Sequence, residues 1–197
     1  MGQGVLMKFD TAAISQQLGV TKTPLLPPVT TWNPELSGDI DLFINRQGVW
    51  FHEGTRFERH SLAKMFSSIL RKDGDAYFVL TPVEKWRIKV EDVPFVINHL
   101  MLINPGPDQI LELQTSLGDR VCVDAEHPLW LKTDAATGEP SPYVRVRDRL
   151  DALLTRSVFY ELINLATERN IAGKIQLGIY SSAQFFTLLD DVDASEV

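Results

Sequence analysis

Cysteine occurs once in this chain, at Cys122, so no disulfide can close within it and no multi-cysteine metal site can be built. Such usage fits a reducing compartment, and a cytoplasmic location is the expectation. Long apolar runs are missing as well. No stretch approaches the roughly 20 apolar residues that a membrane-spanning helix needs, so no membrane span is expected. The opening residues Met1 to Leu6 lack the charged and apolar regions of a signal peptide, and Leu6 stands where a myristoylation signal carries Ser or Thr. Basic charge is in short supply: 19 Lys and Arg face 26 Asp and Glu, for a formal net charge of -7. That balance argues against nucleic acid as a main partner, because phosphate binding depends on clustered Lys and Arg.

The usual catalytic signatures are absent too. There is no Gly-x-Ser-x-Gly elbow and no Gly-rich phosphate loop. His52, His60, His99 and His127 are scattered without His-Glu-x-x-His spacing, so no metal and no other cofactor is called for. Cys122, in Arg-Val-Cys-Val-Asp, reads as a packed strand residue. His60 falls at a helix entrance, and His127-Pro128 shapes a turn.

What is present is an ordinary globular composition, 44% hydrophobic and 23% charged over 197 residues, enough for one large or two small cores. Pro24, Pro27, Pro28 and Pro34 make residues 1–39 read as an extended arm. Residues 40–92 read as an N-terminal α+β domain. In it, strands at 41–44 and 49–52 flank a turn at 45–48. A helix follows through Leu62, Met65, Phe66, Ile69 and Leu70, with Ser61 as its cap and Gly74 after its end. Strands at 76–80 and 81–95 complete that domain and lead onward. Residues 93–190 read as a second α+β domain. Its strands are expected at 96–102, 109–115, 120–123, 129–132 and 143–146, with a Gly/Pro/Ser loop at 133–142. The longest helix should then carry Leu150, Leu153, Leu154, Val158, Leu162 and Leu165 on one face, ending near Asn170 and Gly173. Strands at 176–180 and 184–188 precede an acidic tail at 191–197. Each half thus reads as strands, helix and strands, with faint echoes between 49–51 and 129–131.

Two short segments carry the chemistry. In residues 81–95 strand alternation sends Trp86, Ile88 and Val90 inward and Lys85, Arg87 and Lys89 outward. In 143–147 it sends Val144 and Val146 inward and Tyr143, Arg145 and Arg147 outward. Two cationic faces arise, one per half, and guanidinium forks suit phosphate or carboxylate. The other reading is that both rows are solvated faces, paired with Glu84, Glu91, Asp92 or Asp148. On the second helix, Arg156, Tyr160 and Glu161 either face the other half or form a surface ion pair.

The motifs Gly48-x-Trp50-x-His52-x-Gly54, Met65-Phe66-Ser67, Asp73-Gly74-Asp75, Leu80-Thr81-Pro82-Val83-Glu84-Lys85-Trp86, Val90-Glu91-Asp92-Val93-Pro94-Phe95, Glu126-His127-Pro128-Leu129, Pro142-Tyr143-Val144-x-Val146-Arg147 and Phe159-Tyr160-Glu161-Leu162 together resemble a bacterial family, domain of unknown function 1285. The likeness covers most of residues 40–188. It implies a two-part α+β fold with internally repeated motifs, whose C-terminal part is pleckstrin-homology-like. It also implies a pocket between the parts for a nucleotide-like ligand, and a role in signal transduction. No activity comes with the family. One departure is Ala183, where the family's closing Ser-x-Gly-x-Phe pattern carries glycine.

Residues and resemblance together lead to a non-catalytic cytoplasmic module that binds a small anionic or nucleotide-like ligand between its halves and signals to a protein partner. Lys85, Arg87, Arg145 and Arg147 would meet the negative charge, Trp50 and His52 would shape the rim, and Glu84 and Tyr143 complete the candidate set. Two alternatives stand beside it. One is an enzyme acting on a small anion with Glu84 or His52 moving a proton. The other is an interaction scaffold using edge strands or the proline-rich arm.

Overall fold

The protein's structure, a computed structural model, describes residues 26–133, 138–171 and 174–190, which form fifteen β-strands, two α-helices and a short 3-10 turn. The fold is therefore α+β with sheet predominating. Two compact units are distinguished, one of Met1–Asp41 with Glu58–Ile88 and the other of Leu42–Phe57 with Lys89–Val197. Strands β1 (Leu36–Ile44) and β6 (Lys85–Val90) each run through that division.

In the first unit, helix α1 (His60–Ser68) buries Ala63, Phe66 and Ser67 on one stripe. Its cap is Arg59, with no side-chain cap bond, so Ser61 does not serve as expected. The helix also ends sooner than its periodicity suggests. Ile69 and Leu70 are buried, but Leu70 opens strand β4 (Leu70–Asp73), where it pairs with Val79 of β5 (Ala76–Leu80). Two adjacent apolar residues satisfy a helix stripe or a strand equally well, and strand pairing decided here. Gly74, with φ +60°, closes the β4–β5 hairpin rather than the helix. Strand β6 pairs antiparallel with β5, Phe78 opposite Arg87 and Leu80 opposite Lys85. Arg71 on β4 donates to the Val29 and Trp32 carbonyls at 3.0 and 2.6 Å, which fastens the 3-10 turn Val29–Thr31.

In the second unit, the end of β1 pairs with β2 (Trp50–His52) and β2 with β3 (Thr55–Arg56). The hairpin turn at 45–48 forms as expected. Asn45 Oδ1 accepts the Gln47 and Val49 amides at 3.1 and 2.9 Å, an Asx turn. Gly48 is required there: its φ is +72° and a Cβ would meet Val96 Cγ2 at 3.0 Å. The strand order across this first sheet is β3-β2-β1-β6-β5-β4.

A second sheet has the order β10-β11-β12-β7-β8-β9. It comprises β7 (Phe95–Ile103), β8 (Ile110–Thr115), β9 (Arg120–Cys122), β10 (Leu129–Thr133), β11 (Pro140–Arg147) and β12 (Leu150–Leu154). β12 runs parallel to β7, Ala152 opposite Phe95, and its neighbour β11 is antiparallel to it. This overturns the expected long helix from Leu150. Leu150, Ala152 and Leu154 are buried and alternate with half-buried Asp151 and Leu153, a period of two. Helix α2 (Arg156–Asn164) starts after the strand, packs on β7 and buries Val158 and Leu162; it is no longer than α1. Asn170 lies in β13 (Thr167–Ile171), not at a helix end.

The third sheet has the order β13-β14-β15, adding β14 (Lys174–Ser181) and β15 (Gln184–Asp190). Fully buried Ser181 ties it to the second sheet, accepting the Leu111 amide at 2.9 Å and donating to the Val123 carbonyl at 2.6 Å. Residues 1–25 of the expected arm, the tail 191–197, positions 134–137 of the expected loop and Gly173 lie outside the described residues.

Candidate functional site

The cationic row of β6 belongs to the first unit. Lys85 Nζ bonds Asp73 Oδ2 at 2.7 Å and lies 4.2 Å over the Phe78 ring. Arg71 reaches the same Asp73 oxygen at 2.8 Å. Burial pushes the Asp73 carboxyl up, but the hydrogen bonds from Arg71 and Lys85 outweigh that and hold it below the ordinary carboxylate value. Arg87 is more exposed, 3.5 Å from Asp39 and 5.9 Å over the Phe78 ring. Glu84 closes a turn with Thr81, whose amide donates to the Glu84 carbonyl at 2.9 Å.

The remaining five residues named from the sequence belong to the second unit. Trp50 is 2% exposed and stacks on Phe57, so its ring packs the interior instead of shaping a rim. His52, on β2, is half-buried opposite Leu42 and Thr55. Arg145 pairs with Asp151 through Nε and donates from Nη1 to the Asp148 carbonyl at 3.0 Å, its guanidinium 6.0 Å over Trp130. Arg147 lies 4.9 Å over the Phe95 ring and 3.6 Å from Asp119. Burial lowers its pKa against the opposing pull of Asp119 and Asp148. The carboxylates in ion-pairing distance of these cations are thus Asp73, Asp39, Asp151 and Asp119, while Asp148, the one partner foreseen among them, acts on Arg147 electrostatically.

Tyr143 departs from the outward position that alternation suggested: it is buried, stacked on Trp130, with its hydroxyl donating to Asp92 Oδ2 at 2.8 Å. Burial first, and then the bond to Asp92, push its pKa up to about 12. The phenol stays protonated at neutral pH and acts there as a donor.

That hydroxyl borders a hollow of about 220 Å³ lined by Arg46, Glu91, Asp92, Lys132, Ser141 and Tyr143. Arg46 is its centrepiece. The Asx turn places Arg46 at the hairpin tip, and its amide donates to Glu91 Oε2 at 2.8 Å. Its Nη2 donates to Ser141 Oγ at 3.1 Å, and its Nε lies 3.5 Å from Asp92 Oδ2. The side chain remains 45% exposed. Asp92 therefore answers two groups at once, Tyr143 and Arg46, and Glu91 is occupied with a backbone donor. A second hollow of about 460 Å³ shares Arg46 and Ser141 with the first and adds Pro142, Leu153, Arg156 and Tyr160 among its lining. Among the described residues, neither Lys132 nor Arg156 has a carboxylate within ion-pairing distance. Also among the described residues, no group of three or more His, Cys, Asp or Glu could hold a metal ion, and no helix is long and apolar enough to cross a membrane.

Of the eight residues that the sequence suggested, Tyr143 lines a hollow. Arg46, Lys132 and Ser141 were missed, since an arginine at a hairpin tip and a lysine near a strand end are ordinary surface features in one dimension. The available signal was Arg46 within a well-formed turn, because loops on a rigid scaffold often carry function.

The family comparisons agree with one another. The model described as "Domain of unknown function (DUF1285), N-terminal domain" matches residues 27–93, and "Protein of unknown function (DUF1285), C-terminal domain" matches residues 94–188. Arg46, Glu91 and Asp92 fall in the first stretch and Lys132, Ser141 and Tyr143 in the second, although all six share one compact unit. No curated protein matches the chain. The crystal structure of a DUF1285 family protein from Silicibacter pomeroyi DSS-3 is 38% identical, with a TM-score of 0.79 over 90% of this chain and 94% of that one. Another, from Shewanella baltica OS155, is 33% identical with a TM-score of 0.51, over 62% of this chain and 90% of that one. With matches to both family models and close likeness to a relative over nearly its whole length, this chain belongs to the DUF1285 family.

Proposed function

We propose that the protein is a cytoplasmic regulatory module that binds a small anionic, nucleotide-like ligand in the hollow around Arg46, without catalysing a reaction on it. The observation that carries this reading is the Arg46 guanidinium, half exposed in the wall common to two hollows and held in place by Ser141 and Asp92. A cation already oriented by its neighbours loses little freedom when an anion arrives, which favours binding. Lys132 adds positive charge in the smaller hollow beside Glu91 and Asp92, and Arg156 in the larger one beside Glu139. Lys85, Arg87, Arg145 and Arg147 face carboxylates and are not among the residues lining either hollow, whereas Arg46, although 3.5 Å from Asp92, is 45% exposed and lines both, so the ligand's charge falls to Arg46 and its neighbours. The raised pKa of Tyr143 suits a hydrogen-bond donor to a ligand or to Asp92, not a proton-abstracting base.

A signalling role is supported by where these groups come from. Arg46 and Lys132 are far apart in the chain, so a ligand bridging them stiffens the unit and changes what a partner meets. The single cysteine supports the cytoplasmic assignment. Antiparallel strands followed by a helix support a pleckstrin-homology-like reading of residues 93–190, with 40–92 as the N-terminal partner domain.

A thermal-shift screen of nucleotides and other small anions tests this. A compound at one hundred times its Kd should add about 2.7 kcal/mol of stability. Arg46→Ala and Lys132→Ala should each reduce the shift. Lys132 makes no ion pair among the described residues, so its removal leaves the fold intact. A hit that stabilises both variants as much as the parent chain would put the ligand elsewhere.

A further inference from the structure

Arg46 is held by two consecutive acidic residues of the segment that joins β6 to β7. Glu91 Oε2 accepts its backbone amide at 2.8 Å, and Asp92 Oδ2 stands 3.5 Å from its Nε. The two contacts differ in kind. The first anchors the hairpin tip and leaves the guanidinium alone, whereas the second places a full negative charge beside the group that an arriving anion must reach. Asp92 is 21% exposed against 45% for Arg46, so water screens that charge incompletely. The same Asp92 oxygen accepts the Tyr143 hydroxyl at 2.8 Å, closer than it stands to Arg46. Ser141 does not compete in this way, because the hydroxyl that accepts from Arg46 Nη2 at 3.1 Å carries no charge. Once an anion takes the guanidinium, the phenol is already in place to hold Asp92. The carboxylate is then not left unpaired, which would cost more than the anion gains.

Building on the anion-binding reading, we infer that Asp92 is a resident competitor for Arg46, and that Tyr143 is the positioning residue that draws Asp92 aside when an anion arrives. Until then the chain's own carboxylate answers the guanidinium. The affinity of the site is set by how Asp92 divides between phenol and guanidinium, not by the positive charge of Arg46 alone.

Isothermal titration of the full chain with inorganic phosphate measures this. Asp92→Asn should tighten phosphate binding about tenfold, since it removes a unit charge a few ångströms from the anion. A damaged fold does not produce a gain of affinity. Tyr143→Phe should weaken binding several-fold, because Asp92 loses its hydroxyl donor and turns to Arg46. Added to Asp92→Asn, Tyr143→Phe should change nothing further. A Tyr143→Phe loss that persists in the Asp92→Asn chain means that the phenol touches the anion itself, and it overturns the positioning role. Unchanged affinity in Asp92→Asn overturns the competition while the anion site stands. In nitrogen NMR the Arg46 Nε–H signal should shift as phosphate is added, because Nε exchanges Asp92 for the anion; a signal that stays put while phosphate binds overturns the displacement. Phosphate binding that survives Arg46→Ala, or is absent from both the parent and the Asp92→Asn chain, removes the anion site itself and the competition with it.

Discussion

Tyr143 shows how one residue's surroundings determine its role. Alternation put it on the same face as Arg145 and Arg147, yet the Trp130 ring and Asp92 enclose it. Its proton is held up to about pH 12 in the folded chain against 10.0 for an ordinary tyrosine. Between those values the folded state binds more protons than the unfolded one, so this contribution to stability is complete below pH 10 and is lost as pH rises toward 12. Urea unfolding across that range should show stability falling, and Tyr143→Phe should flatten the fall. An unchanged slope in the variant would mean that other groups govern the alkaline limit. The cationic residues teach the complementary lesson. Lys85, Arg87, Arg145 and Arg147 were recognisable as charged faces, but a sequence cannot say which of 26 acidic residues stands opposite each. That choice depends on strand register and on chain segments far away.

At the scale of elements, turn chemistry was the most legible feature. The 45–48 turn forms because Asn45 can accept two backbone amides and Gly48 alone tolerates its position. The β14–β15 hairpin is less well served. Its two loop residues, Ser182 and Ala183, both have positive φ, at 51° and 60°, as a two-residue turn of this kind requires. The family's glycine at this point would adopt that positive φ without the strain a side-chain-bearing residue such as Ala183 meets there. Ala183→Gly should therefore stabilise the protein by roughly 0.5–1 kcal/mol, the relief of left-handed strain less the extra freedom of glycine in the unfolded chain. Chemical denaturation measures it, and a loss of stability would refute the argument. The helices were harder to delimit. Ile69-Leu70 and Leu150 to Leu154 are apolar enough to continue a helix, and pairing with β5 and with β7 and β11 converted them to strands.

For the molecule as a whole, cohesion within the second unit depends on buried polar links as well as apolar packing. Ser181 joins β14 to β8 and to the carbonyl of Val123, with no exposure to water. Ser181→Ala would take from the Leu111 amide its Ser181 acceptor, while the Val123 carbonyl keeps the Ser182 hydroxyl at 3.0 Å, at a cost of about 1–3 kcal/mol. Urea unfolding should report that loss; a variant as stable as the parent would show that the links are dispensable. Amphipathic alternation and turn residues determined by themselves that this chain is an α+β protein, where most strands lie, and that cationic faces exist. Those are local properties, written in spacings of two to four residues. Tertiary structure alone decided where the two helices begin and end, which carboxylates answer which cations, and that Arg46, Lys132, Ser141 and Tyr143 border one hollow. Each of those depends on contacts between residues that are distant in the chain, which no local period encodes.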